Sequence, residues 1–370
     1  MRVFLAIRRD FSPSVIALAL AWTIFGARLL AAEPSGATLR ILQLNVWQEG
    51  TSVPRGLDKI CDVIVAAKAD VVCFSEVRNY HGQDWTSKVV AALAGRGETF
   101  HGKYVGGDVG LVSRFPLAGG EMVFDETGRD SGSIAAWRLT LPQDITVVVA
   151  SAHLDYKHYG LNLIRGYNGG TPDWKIRDAD RNGQPDPVTD TAAILRYNAA
   201  GRRSAAIAAF LARAAEWEKD KLPVVLCGDF NEGSHLDWTA RARTAFGHNG
   251  VEIRWPCTAA LAEAGFQDAW RQCHPDELAQ PGFTWPAPAS GKPSTSWAPK
   301  ADERDRLDFV LAKGSALKAI GAWIVGPATT YRYATPADDP DAALILHKDL
   351  AWPSDHKGVL IEYRVTRPGH

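Results

Sequence analysis

The sequence has almost no net charge, because 41 Lys and Arg residues are balanced by 42 Asp and Glu residues among 370. With a formal charge of −1, the chain has no excess of basic residues, which sequence-independent binding to nucleic acid requires. The chain also lacks the composition of a disordered, collagen-like or many-span membrane protein, since 46% of its residues are hydrophobic and 22% are charged. We therefore expect a folded protein with a substantial core.

Long hydrophobic runs are rare as well, and one of them, at residues 15–25, lies near the N-terminus. This run is shorter than the roughly 20 residues that span a bilayer. Three arginines precede it, and Ala31 and Ala32 follow it, which predicts a secretory signal peptide over residues 1–32. A retained membrane anchor is the alternative. Cleavage would remove four arginines and one aspartate, and the secreted or periplasmic chain would keep 37 basic and 41 acidic residues, a net charge of −4.

Cysteine is scarce, and its five residues form no Cys and His cluster with the spacing of a structural zinc site. Cys61, Cys73 and Cys227 fall in helical or strand-like apolar patterns, where buried thiols are expected. Cys257 and Cys273 bracket a short helical segment in a loop-rich region. In an exported protein they are the candidate disulfide pair, and five free thiols are the alternative.

The mature chain shows no internal repeat and no long Pro, Gly or Ser linker, so we expect one domain over residues 33–370. Four near-continuous apolar runs are typical of strands buried on both faces: 39–45, 70–76, 145–153 and 224–229. Helical patterns lie between them, most clearly at 57–67 and 202–218. This alternation predicts a layered α/β fold with inner sheets and outer helices. The irregular segment 156–198 is predicted to be an insertion that carries function or specificity.

Polar side chains recur at the ends of the strand-like runs. They are Asn45, Glu76, His153, Asp229, Asn231, Asp308, Asp355 and His356. Each alone could cap a turn, lie on the surface or be a satisfied core residue. Together they supply the hard oxygen ligands that Mg²⁺, Mn²⁺ or Ca²⁺ prefer, with histidines as acid, base or electrophilic groups. Such a set suits the attack of water on a phosphoester.

Seven short motifs in order along the chain carry a resemblance to a known family. They are LNVW (44–47), FSEV (74–77), GLVSRFP (110–116), AHL (152–154), GDFN (228–231), DRLDF (305–309) and SDH (354–356). This series resembles the endonuclease/exonuclease/phosphatase superfamily, which has the DNase I-like fold. The resemblance implies a four-layer α/β sandwich of two mainly antiparallel sheets flanked by helices.

The resemblance also implies roles for these residues. Asn45 and Glu76 would hold Mg²⁺ or Mn²⁺, with Asp355 beside the metal. Asp229 would orient or deprotonate the attacking water, and Asn231 would bind the phosphate.

The two histidines would act on the phosphoryl group. By the same resemblance, His356 would pair with Asp308 and stabilise a phosphoryl oxygen. His153 is similar to the second histidine of the DNase and phosphatase branches. Trp47 stands where many nuclease members carry an acidic residue, so a second metal ligand at that point is in doubt.

A further acidic segment lies inside the predicted insertion. Its oxygen-bearing side chains alternate as in the first part of a calcium loop: Asp178, Asp180, Asn182 and Asp186. Thr189 stands where such a loop needs a bidentate Glu. A structural Ca²⁺ site and an ordinary solvated turn are both compatible with this pattern.

Aromatic and basic residues follow two of the motifs and could form the rim of a cleft. They are Tyr156 and Lys157 after the His153 run, and His235 and Trp238 after the GDFN motif. Such side chains could stack a sugar or base and pair with a phosphate. Alternatively, they attach a long loop to the core.

The sequence thus predicts an exported, metal-dependent phosphoesterase that acts on a phosphodiester or phosphomonoester. The substrate could be a small molecule, a lipid headgroup or nucleic acid, and the protein is expected to be a monomer without a stable protein partner. A non-specific endonuclease of the same fold and a non-catalytic binding protein for a glycan or partner are the alternatives.

Overall fold

Two β-sheets form the centre of the structure. The computed structural model describes residues 37–169, 175–293 and 296–367, all of which belong to one compact unit. The predicted signal peptide at residues 1–32 lies outside the described residues. In the part of the chain that is described, no helix combines the length and apolar character needed to cross a membrane.

The first sheet has seven strands. In chain order they are β1 (Ala37–Asn45), β2 (Val71–Ser75), β3 (His101–Gly102), β4 (Val109–Ser113), β11 (Leu317–Val325), β14 (Ile345–Leu346) and β15 (Gly358–Val365). Their order across the sheet is β14-β11-β15-β1-β2-β4-β3. Strand β1 pairs in parallel with β2 and antiparallel with β15, so both ends of the described chain meet in the middle of this sheet.

The second sheet has six strands. They are β5 (Leu117–Asp125), β6 (Gly132–Leu141), β7 (Ile145–Leu154), β8 (Val224–Asp229), β9 (Gln267–Asp268) and β10 (Asp308–Lys313), in the order β5-β6-β7-β8-β10-β9. Its pairs are antiparallel except for β7 with β8. A separate hairpin joins β12 (Thr329–Arg332) to β13 (Thr335–Asp338).

Seven α-helices connect these strands within the described residues. They are α1 (Gly56–Ala67), α2 (Trp85–Ala94), α3 (Gly160–Ile164), α4 (Thr191–Asn198), α5 (Arg203–Lys219), α6 (Pro256–Glu263) and α7 (Ala269–Cys273). The four predicted strands and two predicted helices are confirmed, with boundaries within two residues of the apolar patterns.

Hydrophobic side chains from both sheets form one shared core. Ile41 and Leu111 of the first sheet belong to the same buried cluster as Trp137, Val149 and Val225 of the second. Since strand side chains alternate between faces, the residues in between point outward on each sheet. Fully burying each such side chain contributes about 1.5–3 kcal/mol, so this interface is a major source of stability.

Helices bury the outward-pointing side chains of both sheets. Ile60 and Ile64 of α1 pack with Leu44 of the first sheet. On the other side, Phe210 of α5 packs with Leu226 of the second sheet. The four layers are therefore helix, sheet, sheet and helix, and the predicted α/β sandwich is confirmed.

Strand register gathers the polar strand ends at one edge of the sandwich. In the first sheet, Asn45 pairs with Ser75, which directly precedes Glu76. In the second, Asp229 pairs with His153 on one side and with Asp308 on the other. Residues far apart in the chain thus become neighbours.

The predicted insertion, residues 156–198, is partly built into the molecule. One buried cluster joins this segment to Trp238 and Trp255. The segment contributes Tyr159, which directly precedes α3, Ile164 of α3 and Ile194 of α4. The aromatic side chains of this cluster attach the segment to the core.

All five cysteines are free thiols. Cys257 packs with the cluster on the outer face of the second sheet, whereas Cys273 packs against the core between the sheets. The proposed disulfide between them is therefore wrong, because the two thiols lie in different layers.

Candidate active site

A cleft of about 410 Å³ lies at the edge where the polar strand ends meet. The residues lining it are Trp47, Gln48, Glu76, Arg78, Asp130, His153, Tyr156, Asp229, Asn231, Trp297, Asp355 and His356. Six of the eight predicted strand-end residues line this cleft. The other two, Asn45 and Asp308, contact them from behind, through the hydrogen bonds described below.

Asn45 links two carboxylates of the cleft. Its Nδ2 group donates to Glu76 Oε1 at 3.1 Å and to Asp229 Oδ2 at 3.0 Å, while its Oδ1 accepts from the Trp47 backbone N–H at 2.8 Å. Because Oδ1 retains a lone pair, the predicted ligand role is still possible chemically. In the present geometry Asn45 positions Glu76 and Asp229 relative to each other.

Glu76 is presented to the cleft by an unusual backbone conformation. It directly follows β2 and has a φ of 65°, in the left-handed region that costs a non-glycine residue about 1–3 kcal/mol. Its Oε2 accepts from the Gln48 backbone N–H at 3.0 Å and lies 3.9 Å from the Arg78 guanidinium. These contacts hold the carboxylate in place.

Asp355 supplies a carboxylate oxygen that is buried and unpartnered. Its Oδ1 has no hydrogen-bond partner among the described residues, although the side chain is 7% exposed. Burial raises the pKa of Asp355 to about 7, the charge of His356 opposes this shift, and the charge of Glu76 adds to it. Two carboxylates that repel each other, with one oxygen unsatisfied, fit a hard divalent cation such as Mg²⁺ or Mn²⁺.

His356 forms a buried pair with Asp308. Its Nδ1 lies 2.9 Å from Asp308 Oδ2, and its Nε2 lies 3.7 Å from Asp229 Oδ2. Burial lowers the pKa of His356, but the charges of Asp308 and Asp229 outweigh burial and raise it to about 10. This raised pKa favours the charged imidazolium, in which Nε2 is the ring nitrogen not bonded to Asp308.

Asp229, Asp308 and His356 are also a group whose ligand atoms lie within 4.8 Å of one another. In this group Asp308 is already bonded to Nδ1 of His356, and Asn45 already donates to Asp229 Oδ2. Asp355 Oδ1, in contrast, has no hydrogen-bond partner among the described residues.

His153 forms a second pair of the same kind, with Asp108. Its Nδ1 lies 2.5 Å from Asp108 Oδ2, and its Nε2 lies 4.0 Å from Asp229 Oδ2. Burial lowers the pKa of His153, but Asp108 reverses this effect and raises it to about 9. Ser133 donates to the other oxygen of Asp108 at 2.6 Å, which fixes the carboxylate.

Asp229 therefore lies between two imidazolium rings. Burial raises its pKa, and the charge of His356 lowers it. Its Oδ1 accepts from the Asn231 backbone N–H at 2.9 Å. The Asn231 side chain donates to the Leu154 carbonyl at 3.0 Å and lines the cleft.

Three further residues of this site were not predicted from the sequence. Asp108 precedes the GLVSRFP motif by two residues and orients His153. Arg78 follows the FSEV motif, and its Nη1 lies 3.3 Å from Asp108 and 3.5 Å from Asp130. Gln43 donates to Asp308 Oδ1 at 3.3 Å, and its position as a polar residue inside an apolar strand was the one available signal.

The predicted rim is correct only in part. Tyr156 lines the cleft and donates to Asp130 Oδ2 at 2.6 Å, and Lys157 donates to the Arg129 carbonyl just outside it. His235 instead lines a different cavity of about 370 Å³. Trp238 is 2% exposed and belongs to the buried cluster under α3. The rim prediction is wrong for these two residues, because both turn away from the cleft.

The acidic segment of the insertion has the hydrogen bonding of a turn. Both Asp178 oxygens accept backbone N–H groups, from Asn182 and Gly183, each at 2.8 Å. The Asn182 side chain accepts from Gln184 N–H, and Asp186 accepts from Ala179 N–H. Asp180 is exposed. Since backbone amides already use these oxygens, the geometry favours the solvated turn over the calcium site.

Comparison with known proteins gives a relative and several similar structures. An uncharacterized protein of Caenorhabditis elegans is 25% identical over 328 residues, covering 88% of this chain and 91% of that protein. An endonuclease/exonuclease/phosphatase from Beutenbergia cavernae DSM 12333 is 19% identical with a TM-score of 0.47, over 90% of this chain and 72% of that one.

Two further solved structures cover most of the chain. TDP2 of D. rerio complexed with single strand DNA product is 15% identical with a TM-score of 0.48, over 88% of this chain and 99% of that one. The human Nocturnin catalytic domain with bound sulfate is 15% identical with a TM-score of 0.47, over 89% of this chain and 95% of that one.

A family model matches far more of the chain than any single motif. It is the model of the Endonuclease/Exonuclease/phosphatase family, whose members are hydrolases of phosphoester bonds, and it matches residues 42–356. That range contains every strand-end residue from Asn45 to His356. The chain therefore belongs to the Endonuclease/Exonuclease/phosphatase family.

Proposed function

We propose that this protein is an exported, metal-dependent phosphoesterase that hydrolyses a phosphodiester or phosphomonoester by direct attack of water. The observation that most strongly supports the proposal is the pair of buried imidazoles, His153 and His356, that flank the Asp229 carboxylate. Export rests on the N-terminal sequence alone, which lies outside the described residues.

Glu76 and Asp355 are the residues that would hold a divalent cation, with Asn45 as a third donor. A bound Mg²⁺ or Mn²⁺ would neutralise developing charge on a phosphoryl oxygen. The unpartnered Oδ1 of Asp355 supports this assignment, because a buried carboxylate oxygen without a partner is costly.

Asp229 is the group best positioned to orient the attacking water. Two hydrogen bonds fix its carboxylate, one from Asn45 Nδ2 at 3.0 Å and one from the Asn231 backbone N–H at 2.9 Å. Burial raises its pKa, which improves a carboxylate as an acceptor of the water's proton.

The imidazolium rings would stabilise the negative charge that builds up on the phosphoryl group. Asp308 and Asp108 each occupy the Nδ1 side of one ring, so the Nε2–H groups of His356 and His153 remain to donate toward substrate oxygens. Preorganised donors of this kind are the largest contribution in many hydrolases. Arg78, at the cleft wall, adds a guanidinium suited to a phosphate oxygen.

The cleft favours a small phosphoester over a long polyanion. Its lining contains four carboxylates but only one arginine and no lysine. A continuous nucleic-acid strand needs a basic surface, whereas a volume of about 410 Å³ is typical of small-molecule sites. A purely non-catalytic binding role is less favoured, because the predicted acid, base and metal-ligand residues are all present and come together at one cleft.

The proposal is tested with the purified mature protein and a substrate panel. The panel contains plasmid DNA, RNA, bis-p-nitrophenyl phosphate, sugar phosphates and sphingomyelin, each with Mg²⁺, Mn²⁺, Ca²⁺ or EDTA. We expect metal-dependent release of product from at least one small phosphoester, abolished by EDTA and restored by Mg²⁺ or Mn²⁺. Turnover that is unaffected by EDTA, or no turnover on any substrate with any metal, would contradict it.

A further inference from the structure

Among the described residues, two of the three partly exposed tryptophans line the cleft. Of the eleven tryptophans among the described residues, eight are 2% exposed or less. The three that are partly exposed are Trp47, Trp297 and Trp323, and the first two line the cleft. A large indole is usually kept from water, because it buries 150–250 Å² when packed, so exposed ring surface at a cleft indicates a ligand contact.

Trp297 is held rigidly in the cleft wall. Its backbone N–H and that of Ala298 donate to Glu303 Oε2 at 2.9 and 2.8 Å. Its ring packs against Trp285, with ring centroids 5.2 Å apart, and against Tyr159 at 5.9 Å. The indole is thus braced on the protein side, and little conformational entropy remains to be lost when a ligand stacks on it.

Trp47 is positioned by the same residues that position the carboxylates. Its backbone N–H donates to Asn45 Oδ1 at 2.8 Å, and it has a left-handed φ of 40°. The next residue, Gln48, donates its backbone N–H to Glu76 at 3.0 Å. Trp47 therefore belongs to the loop that positions Glu76, and both residues line the cleft.

We propose that Trp47 and Trp297 form an aromatic subsite, which binds a ring in the organic group that is esterified to the phosphate. This inference rests on the proposed phosphoesterase function and specifies its substrate class. The ring can be a nucleobase, which stacks through its π face, or a sugar, which packs its C–H face on indole. Tyr156, fixed through its hydroxyl on Asp130, adds a third aromatic ring to the lining.

The test compares methyl phosphodiesters of thymidine, glucose and glycerol, together with the corresponding monoesters. Wild type is compared with Trp47→Ala and Trp297→Ala. We expect each variant to raise KM for the thymidine or glucose ester on the order of tenfold, equal to about 1.4 kcal/mol, and to change KM for the acyclic glycerol ester far less. Trp297→Phe keeps a ring and should recover most of the loss.

Trp323→Ala is the matched control, because Trp323 is also partly exposed but lies in β11 of the first sheet and does not line the cleft. Thermal unfolding of every variant shows whether a change reflects loss of the fold. Equal effects on ring-bearing and acyclic esters, or no effect of either cleft variant, would overturn the aromatic subsite.

The subsite and the proposed function can fail separately. If wild type hydrolyses none of the esters with any metal, the proposed function fails. Quenching of indole fluorescence by the non-hydrolysable methylphosphonate of thymidine or glucose then tests the subsite alone. Quenching that Trp47→Ala and Trp297→Ala both reduce supports the subsite, and quenching unchanged in both variants overturns it.

Discussion

The charge on two histidines is the central feature of this protein at the scale of single residues. Each ring is buried, which by itself would favour the neutral form, and each has one carboxylate bound to Nδ1 that reverses this preference. Asp108 and Asp308 therefore act through the histidines and need not contact substrate. This makes them positioning residues whose effect is visible in a pH profile.

Replacing Asp108 by Asn tests this role for His153. Without the Asp108 charge, burial prevails and the pKa of His153 falls from about 9. Since the charged ring is lost as pH rises through its pKa, the alkaline limb of kcat/KM should move to lower pH. The pH profile of kcat/KM, supported by NMR titration of the ring, measures the shift.

Asp130→Asn is the control for that variant, because Asp130 also contacts Arg78 but is not bonded to His153. The alkaline limb of the kcat/KM profile of Asp130→Asn should stay at the wild-type pH. An Asp108→Asn profile that coincides with wild type would show that Asp108 does not maintain the charge of His153.

At the scale of secondary-structure elements, loops supply much of the cleft wall and strands supply less of it. Segment 297–303 is an example, because one buried carboxylate, Glu303, accepts two backbone N–H groups and thereby fixes Trp297. Burial raises the pKa of Glu303 from 4.5 to about 7, against hydrogen bonds that lower it. The segment is therefore sensitive to pH.

Glu303→Gln should remove part of the pH dependence of stability. Because the folded-state pKa is raised, the contribution of Glu303 to folding is fully present below pH 4.5 and is lost as pH rises to about 7. Wild type should lose up to a few kcal/mol of unfolding free energy from pH 4.5 to 8 through this group, and the variant should lose less.

Urea unfolding of both proteins across this pH range measures the difference. Glu216→Gln is the control, since Glu216 is an exposed carboxylate on α5, paired with Lys219. If the unfolding free energies of wild type and Glu303→Gln change in parallel from pH 4.5 to 8, Glu303 does not make this segment sensitive to pH.

The fold is largely predictable from the sequence at the scale of the whole molecule, and the reason is physical. Strands buried on both faces read as continuous apolar runs, so a polar residue at their end stands out. Asp229 and His153 were identified in this way. The runs also define the sheets and covering helices, which is why the layered α/β architecture was predicted correctly.

The parts that were not predicted depend on tertiary contacts. Asp108 meets His153 across 45 residues of chain, because the two sheets that carry them pack against each other. Trp238 follows the GDFN motif closely, yet it packs inward on the cluster under α3. Sequence proximity to a motif does not determine which way a side chain points. An isolated acidic residue before a strand also does not indicate which side chain it will contact in the folded protein.

The most direct test of the central claim is the turnover of Glu76→Ala, Asp229→Asn and His356→Ala on the preferred phosphoester with Mg²⁺. Asp62→Asn is the control, because Asp62 is an exposed carboxylate on α1. We expect each site variant to lower kcat/KM by on the order of 10²-fold or more, with wild-type far-UV circular dichroism and wild-type activity in the control. Unchanged turnover in all three site variants would contradict the assignment of this cleft as a phosphoesterase active site.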